Sequence, residues 1–228
     1  MKDLYIVTHQ TGTGGAFLNA LIYSWITNED LSKFEFDEYG AAHGNIEGIA
    51  FSNHMNGSRH PVTGEHSSFI PFWPWIKAKD HNKPLCVRSH CLVDDTIHNY
   101  YSNYHHFHIL TTTADYEIMA FNTLIKQNQL DLQDEKEAKR QISELVNIRL
   151  DGLANHKEEH KHWFEPYDQP NTTNILFNDI MKNPSKVYSQ LVEVLGSVPD
   201  HIPVYHNRYI LKNKQTTEKY APWITYYT

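Results

Sequence analysis

A short apolar segment near the N-terminus runs into a glycine-rich turn and then directly into an apolar helical pattern. This stretch, from Leu4 to Ile26, reads LYIVTHQTGTGGAFLNALIYSWI. A strand, a tight turn and a helix start in this order are typical of a phosphate-binding loop in an α/β protein. The Lys-Ser or Lys-Thr ending of the G-x-x-x-x-G-K-[ST] motif is absent, and G-x-G-x-x-G does not match. An ordinary strand-to-helix turn is therefore the alternative interpretation.

Glycines at this turn allow positive φ angles and let the backbone approach a ligand closely. Thr11 and Thr13 can cap the helix that follows. The unpaired N–H groups of the first helical turn point at one spot, where the helix dipole also favours an anion. The predicted anion-binding residues are Gly12, Thr13, Gly14, Gly15, Ala16 and Phe17.

The chain has 228 residues, of which 40% are hydrophobic, and this is enough to bury one good core. The sequence predicts a single domain over 1–228, with an insertion or lid at 28–75, where Gly, His, Asn and Pro are frequent. A net charge of −7 argues against a nucleic-acid surface, so any anion site is local. Two cysteines and no membrane-length apolar stretch predict a cytoplasmic protein that is not bound to a membrane.

Strand-like and helix-like segments alternate along the rest of the chain. This pattern predicts an α/β fold with three layers, in which helices cover both faces of a mainly parallel central sheet. A short buried strand at Leu85 to Val87 ends in Arg88-Ser89-His90, and strand carboxyl ends border the ligand crevice of such sheets. The segment from Asp134 to His162 reads as a long helix, and the tail carries a short helix from Tyr205 to Lys214. Another helix is predicted to start at Asn183-Pro184 and to stop at Gly196.

Sixteen histidines suggest a metal-site alternative. His106 and His108 lie on one face of a predicted strand, without carboxylate or cysteine partners in register. The run from His156 to His160 matches H-x-x-E-H, the inverted zincin pattern, with Glu159 before the second histidine. A solvated helix face explains this charged run equally well, and we expect no bound metal.

Several segments together resemble the sulfotransferases that use 3′-phosphoadenylyl sulfate (PAPS). The segment from Thr13 to Leu18 is similar to the family's S-G-T-T-W-L loop, and Arg88-Ser89-His90 is similar to its K-T-H motif. The segment from Ile175 to Pro184, followed by Leu195-Gly196, resembles the family's Y-E-D-L-K-x-D-P turn and F-L-G helix. His162-Trp163-Phe164 resembles its W-W pair. The resemblance spans nearly the whole chain.

The resemblance implies PAPS as the sulfuryl donor, a hydroxylated small-molecule or glycan acceptor, and no metal. It implies that His90 is the general base, with Arg88 replacing the loop lysine that would fall at Gly12. The family's 3′-phosphate arginine and serine would fall near Thr111 and Met119, with Asp115 retained. Without that lysine and arginine, nucleotide affinity is expected to fall by several kcal/mol, at about 1.5–3 kcal/mol for each lost contact.

Three functional hypotheses follow from these patterns. The first is a sulfotransferase-like enzyme. The second is a non-catalytic or differently specialised relative that binds another anion or nucleotide with the same P-loop type of fold. The third is a zinc hydrolase built on His156, Glu159 and His160.

Overall fold

The computed structural model describes residues 3–31, 36, 58–59, 66–67, 85–89, 104–112, 115–155 and 165–227. The strands in this part of the chain are β1 (Leu4–Thr8), β2 (Ser58–Arg59), β3 (His66–Ser67), β4 (Leu85–Ser89), β5 (Tyr104–Leu110) and β6 (Thr172–Leu176). The helices are α1 (Gly15–Thr27), α2 (Tyr116–Lys126), α3 (Glu135–Asn155), α4 (Phe177–Lys182), α5 (Pro184–Leu195) and α6 (His201–Tyr220).

Four strands form one parallel sheet in the order β4-β1-β5-β6. Strand β1 pairs with β4 on one side, where Thr8 lies opposite Ser89, and with β5 on the other, where Thr8 lies opposite His108. The predicted parallel sheet is therefore confirmed, and β1 lies in the apolar segment before the glycine-rich turn. Strands β2 and β3 form a separate antiparallel pair within the range 28–75, and the single domain and the lid stay predictions.

Helices cover both faces of the sheet. Ile6 and Val7 are consecutive in β1 and fully buried, although neighbouring residues of a strand point to opposite faces. The sheet grows from β1 toward β4 on one side and from β5 toward β6 on the other. Connections from one strand through a helix to a parallel strand are right-handed. The connection from β1 to β4 and the connection from β5 to β6 run in opposite directions across the sheet, so α1 lies on one face and α2 and α3 lie on the other. The three-layer α/β class is confirmed.

The sheet changes direction between β1 and β5, because the chain passes from β4 to the opposite side of β1 before it forms β5. Ligands of open α/β sheets bind at the carboxyl edge of such a switch point. The loop after β1 and Thr111, which follows β5, both lie at this edge.

Helix α1 is the central helix of the core, with ten of its thirteen residues buried. A helix that is apolar on nearly all sides must be covered by other elements. Helix α6 supplies part of that cover, since the ring of Tyr209 stacks on the ring of Phe17 with a centroid separation of 3.9 Å. None of the described helices combines the length and apolar character that a membrane span requires.

The C-terminal region differs from the sequence prediction in its helix lengths. Helix α6 runs from His201 to Tyr220, so the predicted short helix at Tyr205 to Lys214 was too short at both ends. Pro203 is compatible with this early start because the first turn of a helix needs no backbone N–H donors. Helix α5 begins at Pro184 as predicted and ends at Leu195, and the cap residue that follows, Gly196, has a φ of 82°.

Candidate functional site

The turn between β1 and α1, residues 9–14, is called the glycine loop below. Two of its glycines have left-handed backbone conformations, with φ of 90° at Gly12 and 77° at Gly14. Thr13 closes the turn, because its hydroxyl donates to the carbonyl oxygen of Gln10 at 2.7 Å and its N–H donates to the same atom at 3.3 Å. The tight turn predicted from the sequence is therefore formed by Thr13 and two positive φ angles.

No side chain caps the N-terminus of α1, so the prediction that Thr11 or Thr13 caps it was wrong. The cap residue is Gly14, and the Thr13 hydroxyl is directed back to Gln10 instead. The N–H of Leu18 donates to the carbonyl of Gly14 at 2.9 Å and begins the helical pattern. The three N–H groups before it, at Gly15, Ala16 and Phe17, belong to the turn that has no acceptor within the helix. An uncapped helix start of this kind attracts an anion.

The glycines are also required by packing within the protein. A β-carbon on Gly12 would overlap the carbonyl oxygen of Met119 in α2 and lie 2.7 Å from the hydroxyl of Thr123. A β-carbon on Gly14 would lie 2.9 Å from the hydroxyl of Tyr209. On Gly15 it would overlap the imidazole ring of His9. The sequence pattern is thus explained in part by close contacts with α2, α6 and the loop itself.

Side chains of α2 and α3 hold the carbonyl groups of the glycine loop. Asn122 donates to the carbonyl of Gly12 at 3.2 Å. The hydroxyl of Thr123 donates to the carbonyl of Met119 at 2.8 Å and lies 3.2 Å from the carbonyl of Thr11. Arg149 donates through Nη2 to the Thr123 hydroxyl at 3.0 Å and, at 3.4 Å, to the carbonyl of Thr11. Every described peptide bond is trans, so the C=O of one residue and the N–H of the next point in opposite directions. Because the carbonyl of Thr11 faces the side chains of α2 and α3, the N–H of Gly12 points away from α2.

Sequence reasoning did not predict these anchoring residues. The signal that could have revealed Arg149 is its place in the core-facing stripe of α3, where it follows Ala138, Ile142 and Leu145 at three- and four-residue steps. A cation in such a stripe needs a polar partner. Nothing local in the sequence indicates Asn122 or Thr123, because their partners lie about 110 residues earlier in the chain.

Arg149 and Arg88 are two half-buried cations at this edge of the described sheet. Burial lowers the pKa of Arg149 from its usual value, with an opposing contribution from Tyr116. No carboxylate forms an ion pair with Arg149 among the described residues. Arg88 lies in β4 opposite Val7, and burial lowers its pKa as well. It is thus placed at the same edge of the sheet as the glycine loop, one strand away. His90 lies outside the described residues.

The residues expected near a 3′-phosphate are buried. Thr111 is 3% exposed and Asp115 2% exposed, and Met119 is fully buried. The carboxylate of Asp115 accepts from the backbone N–H of Thr112 at 3.2 Å and from its hydroxyl at 2.8 Å. The structure therefore brings Thr111 and the glycine loop to one edge of the sheet, but it offers no cation from this group of residues.

The described histidines do not form a metal centre. His106 and His108 share one face of β5, as predicted, and both are fully buried. Their ring nitrogens contact the hydroxyl of Thr8 at 2.6 Å and the side-chain oxygen of Asn174 at 3.1 Å. Across the described residues no three His, Cys, Asp or Glu side chains are grouped to hold a metal ion. The H-x-x-E-H run at 156–160 lies outside them.

The chain matches no protein-family model, and a comparison with curated proteins finds no match. Among solved structures it is similar to a sulfotransferase from Alicyclobacillus acidocaldarius. The identity is 14%, the alignment covers 96% of this chain and 94% of that chain, and the TM-score is 0.43. A similarity at this level says nothing about substrate or activity, so the site is interpreted from its own geometry.

Proposed function

We propose that the protein is a sulfotransferase-like enzyme whose glycine loop and α1 bind the 5′ end of a nucleotide sulfuryl donor. The observation that carries this proposal is the uncapped start of α1 at the switch point of the sheet. Its first-turn N–H groups and the helix dipole favour a phosphate or sulfate there. The order of the sequence motifs that resemble PAPS-dependent enzymes supplies the reaction class.

The proposed roles follow from position and chemistry. The N–H groups of Gly15, Ala16 and Phe17 bind the 5′ anion, and Asn122, Thr123 and Arg149 keep the loop in shape. Arg88 supplies positive charge in place of the family's loop lysine, whose position Gly12 occupies. PAPS supplies the sulfuryl group, whose bond to the bridging oxygen breaks as a new bond to the acceptor oxygen forms. His90 takes the proton of the acceptor hydroxyl, because an imidazole that titrates near neutral pH suits a general base.

The two ends of PAPS differ in how well they fit the described residues. The 5′ end fits the uncapped helix start. The 3′-phosphate does not fit Thr111 and Asp115, because both are buried and the second is an acid whose carboxylate already accepts two hydrogen bonds. We therefore expect the 3′-phosphate to add little affinity, whereas a dedicated charge-assisted contact would add about 1.5–3 kcal/mol.

The binding experiment compares adenosine 3′,5′-bisphosphate with adenosine 5′-monophosphate by thermal shift and calorimetry. Saturation at a hundred times the dissociation constant stabilises the protein by about 2.7 kcal/mol, or roughly 5–11 °C for a chain of this size. We expect similar affinities for the two nucleotides and weaker binding of both in Arg88→Gln. Arg140→Gln removes an exposed arginine of α3 that pairs with Glu137 and Glu144, and it serves as the control. Failure of both nucleotides to bind would refute the proposed anion site at the glycine loop and the start of α1.

The activity experiment follows labelled sulfate from PAPS to phenols, alcohols and sugars. We expect slow transfer that is lost in His90→Ala. Undiminished transfer in that variant would remove His90 from the mechanism.

A non-catalytic anion-binding protein is the second candidate. The observation that favours it is the absence of a cation at Gly12 and Thr111. Tight binding of phosphate or nucleotide without transfer to any acceptor would select this candidate.

A further inference from the structure

A groove of about 270 Å³ lies along α6 and is lined by Phe36, Arg208, Leu211, Lys212 and Gln215. It is called the α6 groove below. Its described wall has an apolar part, formed by Phe36 and Leu211, and a cationic part, formed by Arg208 and Lys212. It contains no carboxylate among the residues that the structure describes. Leu211 is 55% exposed, so its side chain is open to a ligand.

The positive charge of the groove is local. The chain as a whole carries a net charge of −7, yet two cations face this groove one helical turn apart. Lys212 forms no ion pair with a described residue, whereas Lys214, two positions further along α6, pairs with Glu218 at 3.8 Å. The guanidinium of Arg208 lies 5.9 Å from the ring centre of Phe36, beside the apolar wall. A ligand with an apolar body and a negative group would match both parts of this surface.

The groove is separated from the start of α1 by one aromatic side chain. The ring of Phe36 lies 5.6 Å from the ring of Tyr209, measured between centroids. Tyr209 in turn stacks on Phe17 at 3.9 Å, and its hydroxyl faces Gly14. The buried ring of Tyr209 therefore lies between the α6 groove and the start of α1.

We propose that the α6 groove binds a small aromatic acid. The aromatic body lies against Phe36 and Leu211, and its carboxylate, sulfate or phosphate group pairs with Lys212 beside the guanidinium of Arg208. Lysine supplies a point charge to such a group, and arginine adds to the positive field. Binding of the acid rests on the groove alone and is independent of the proposed sulfotransferase function.

The experiment measures binding of 4-hydroxybenzoate and of its neutral counterpart 4-hydroxybenzamide by calorimetry, without a sulfuryl donor. The two ligands have nearly the same shape and differ in charge. We expect the benzoate to bind at least about tenfold more tightly, which corresponds to about 1.4 kcal/mol. The preference should shrink in Lys212→Gln, and further in Lys212→Gln with Arg208→Gln. It should persist in Lys214→Gln, which removes a lysine from the same helix.

Equal affinity for the two ligands, no binding of the benzoate at millimolar concentration, or an equal loss in Lys214→Gln would each overturn the groove assignment. Circular dichroism of every variant separates a lost site from a lost fold, and Lys212→Gln alone tests the charge if the double variant unfolds. Because this experiment contains no sulfuryl donor, its outcome is separate from that of the transfer assay. Charge-selective binding supports the groove whether or not either ligand is sulfated.

Discussion

Replacing Gly12 with alanine tests whether the glycine loop is held by backbone packing against α2. Two costs add at this position. The left-handed conformation, with φ of 90°, costs an alanine about 1–2 kcal/mol. The new β-carbon would also overlap the carbonyl oxygen of Met119, and overpacking of this kind costs roughly 1–3 kcal/mol. We therefore expect Gly12→Ala to lower the free energy of unfolding by about 2–5 kcal/mol.

Two other glycines provide matched controls. Gly14 has a similar φ of 77°, but its β-carbon would meet only the hydroxyl of Tyr209, at 2.9 Å. Gly14→Ala should therefore cost about 1–2 kcal/mol from the backbone conformation, plus a small movement of that hydroxyl. Gly152 lies in α3 with nothing within 4 Å of its β-carbon position. Gly152→Ala should stabilise the protein by about 0.5–1 kcal/mol, because alanine is the better helix former.

The assay is urea unfolding, followed by circular dichroism and by tryptophan fluorescence, with the slope on denaturant compared among the variants. The expected order of stability is Gly152→Ala, parent, Gly14→Ala, Gly12→Ala. The reasoning would be refuted if Gly12→Ala were no less stable than Gly14→Ala, since the overlap with Met119 would then carry no cost. An unchanged slope is needed for each comparison, because a changed slope indicates an altered unfolded or native state.

Two further predictions concern side chains that the sequence did not single out. Arg149→Gln should weaken binding of adenosine 5′-monophosphate several-fold by calorimetry, because it removes the donor to the Thr11 carbonyl and the Thr123 hydroxyl. Arg140→Gln, on the same helix, should leave this affinity unchanged. Equal losses in the two variants would contradict the anchoring role of Arg149. Burial lowers the pKa of His206 to about 4, and the hydrogen bond to the Ile180 carbonyl offsets only part of this effect. The unfolded chain therefore binds this proton at higher pH than the folded one, and stability should be lost as pH falls from about 6.5 to 4, by roughly 3 kcal/mol at pH 4. His206→Gln should flatten urea-derived stability over this pH range relative to the parent, and an unchanged pH profile would rule out His206 as a source.

The sequence alone determined the elements whose signals are local. Alternating and continuous apolar residues marked β1 and α1, and the glycines between them marked a tight turn. Pro184 and Gly196 marked the two ends of α5, because a proline is suited to a first helical turn and a glycine to the residue after the last one. The parallel direction of the strands followed from the alternation of strands and helices along the chain. These features depend on residues within one or two turns of each other, so they can be read without knowing the fold.

Only the tertiary structure decided how the candidate site is built. The sequence suggested Thr11 and Thr13 as caps, but Thr13 bonds to Gln10 and the helix start is left open. The resemblance implied that Thr111 and Asp115 lie near a 3′-phosphate, and this stays a prediction; the structure shows that both side chains are buried.

The residues that hold the loop, Asn122, Thr123 and Arg149, lie 110 or more positions from their partners. Contacts at that separation depend on which helix packs against which strand, and this is decided by burial of the whole core and not by any local pattern.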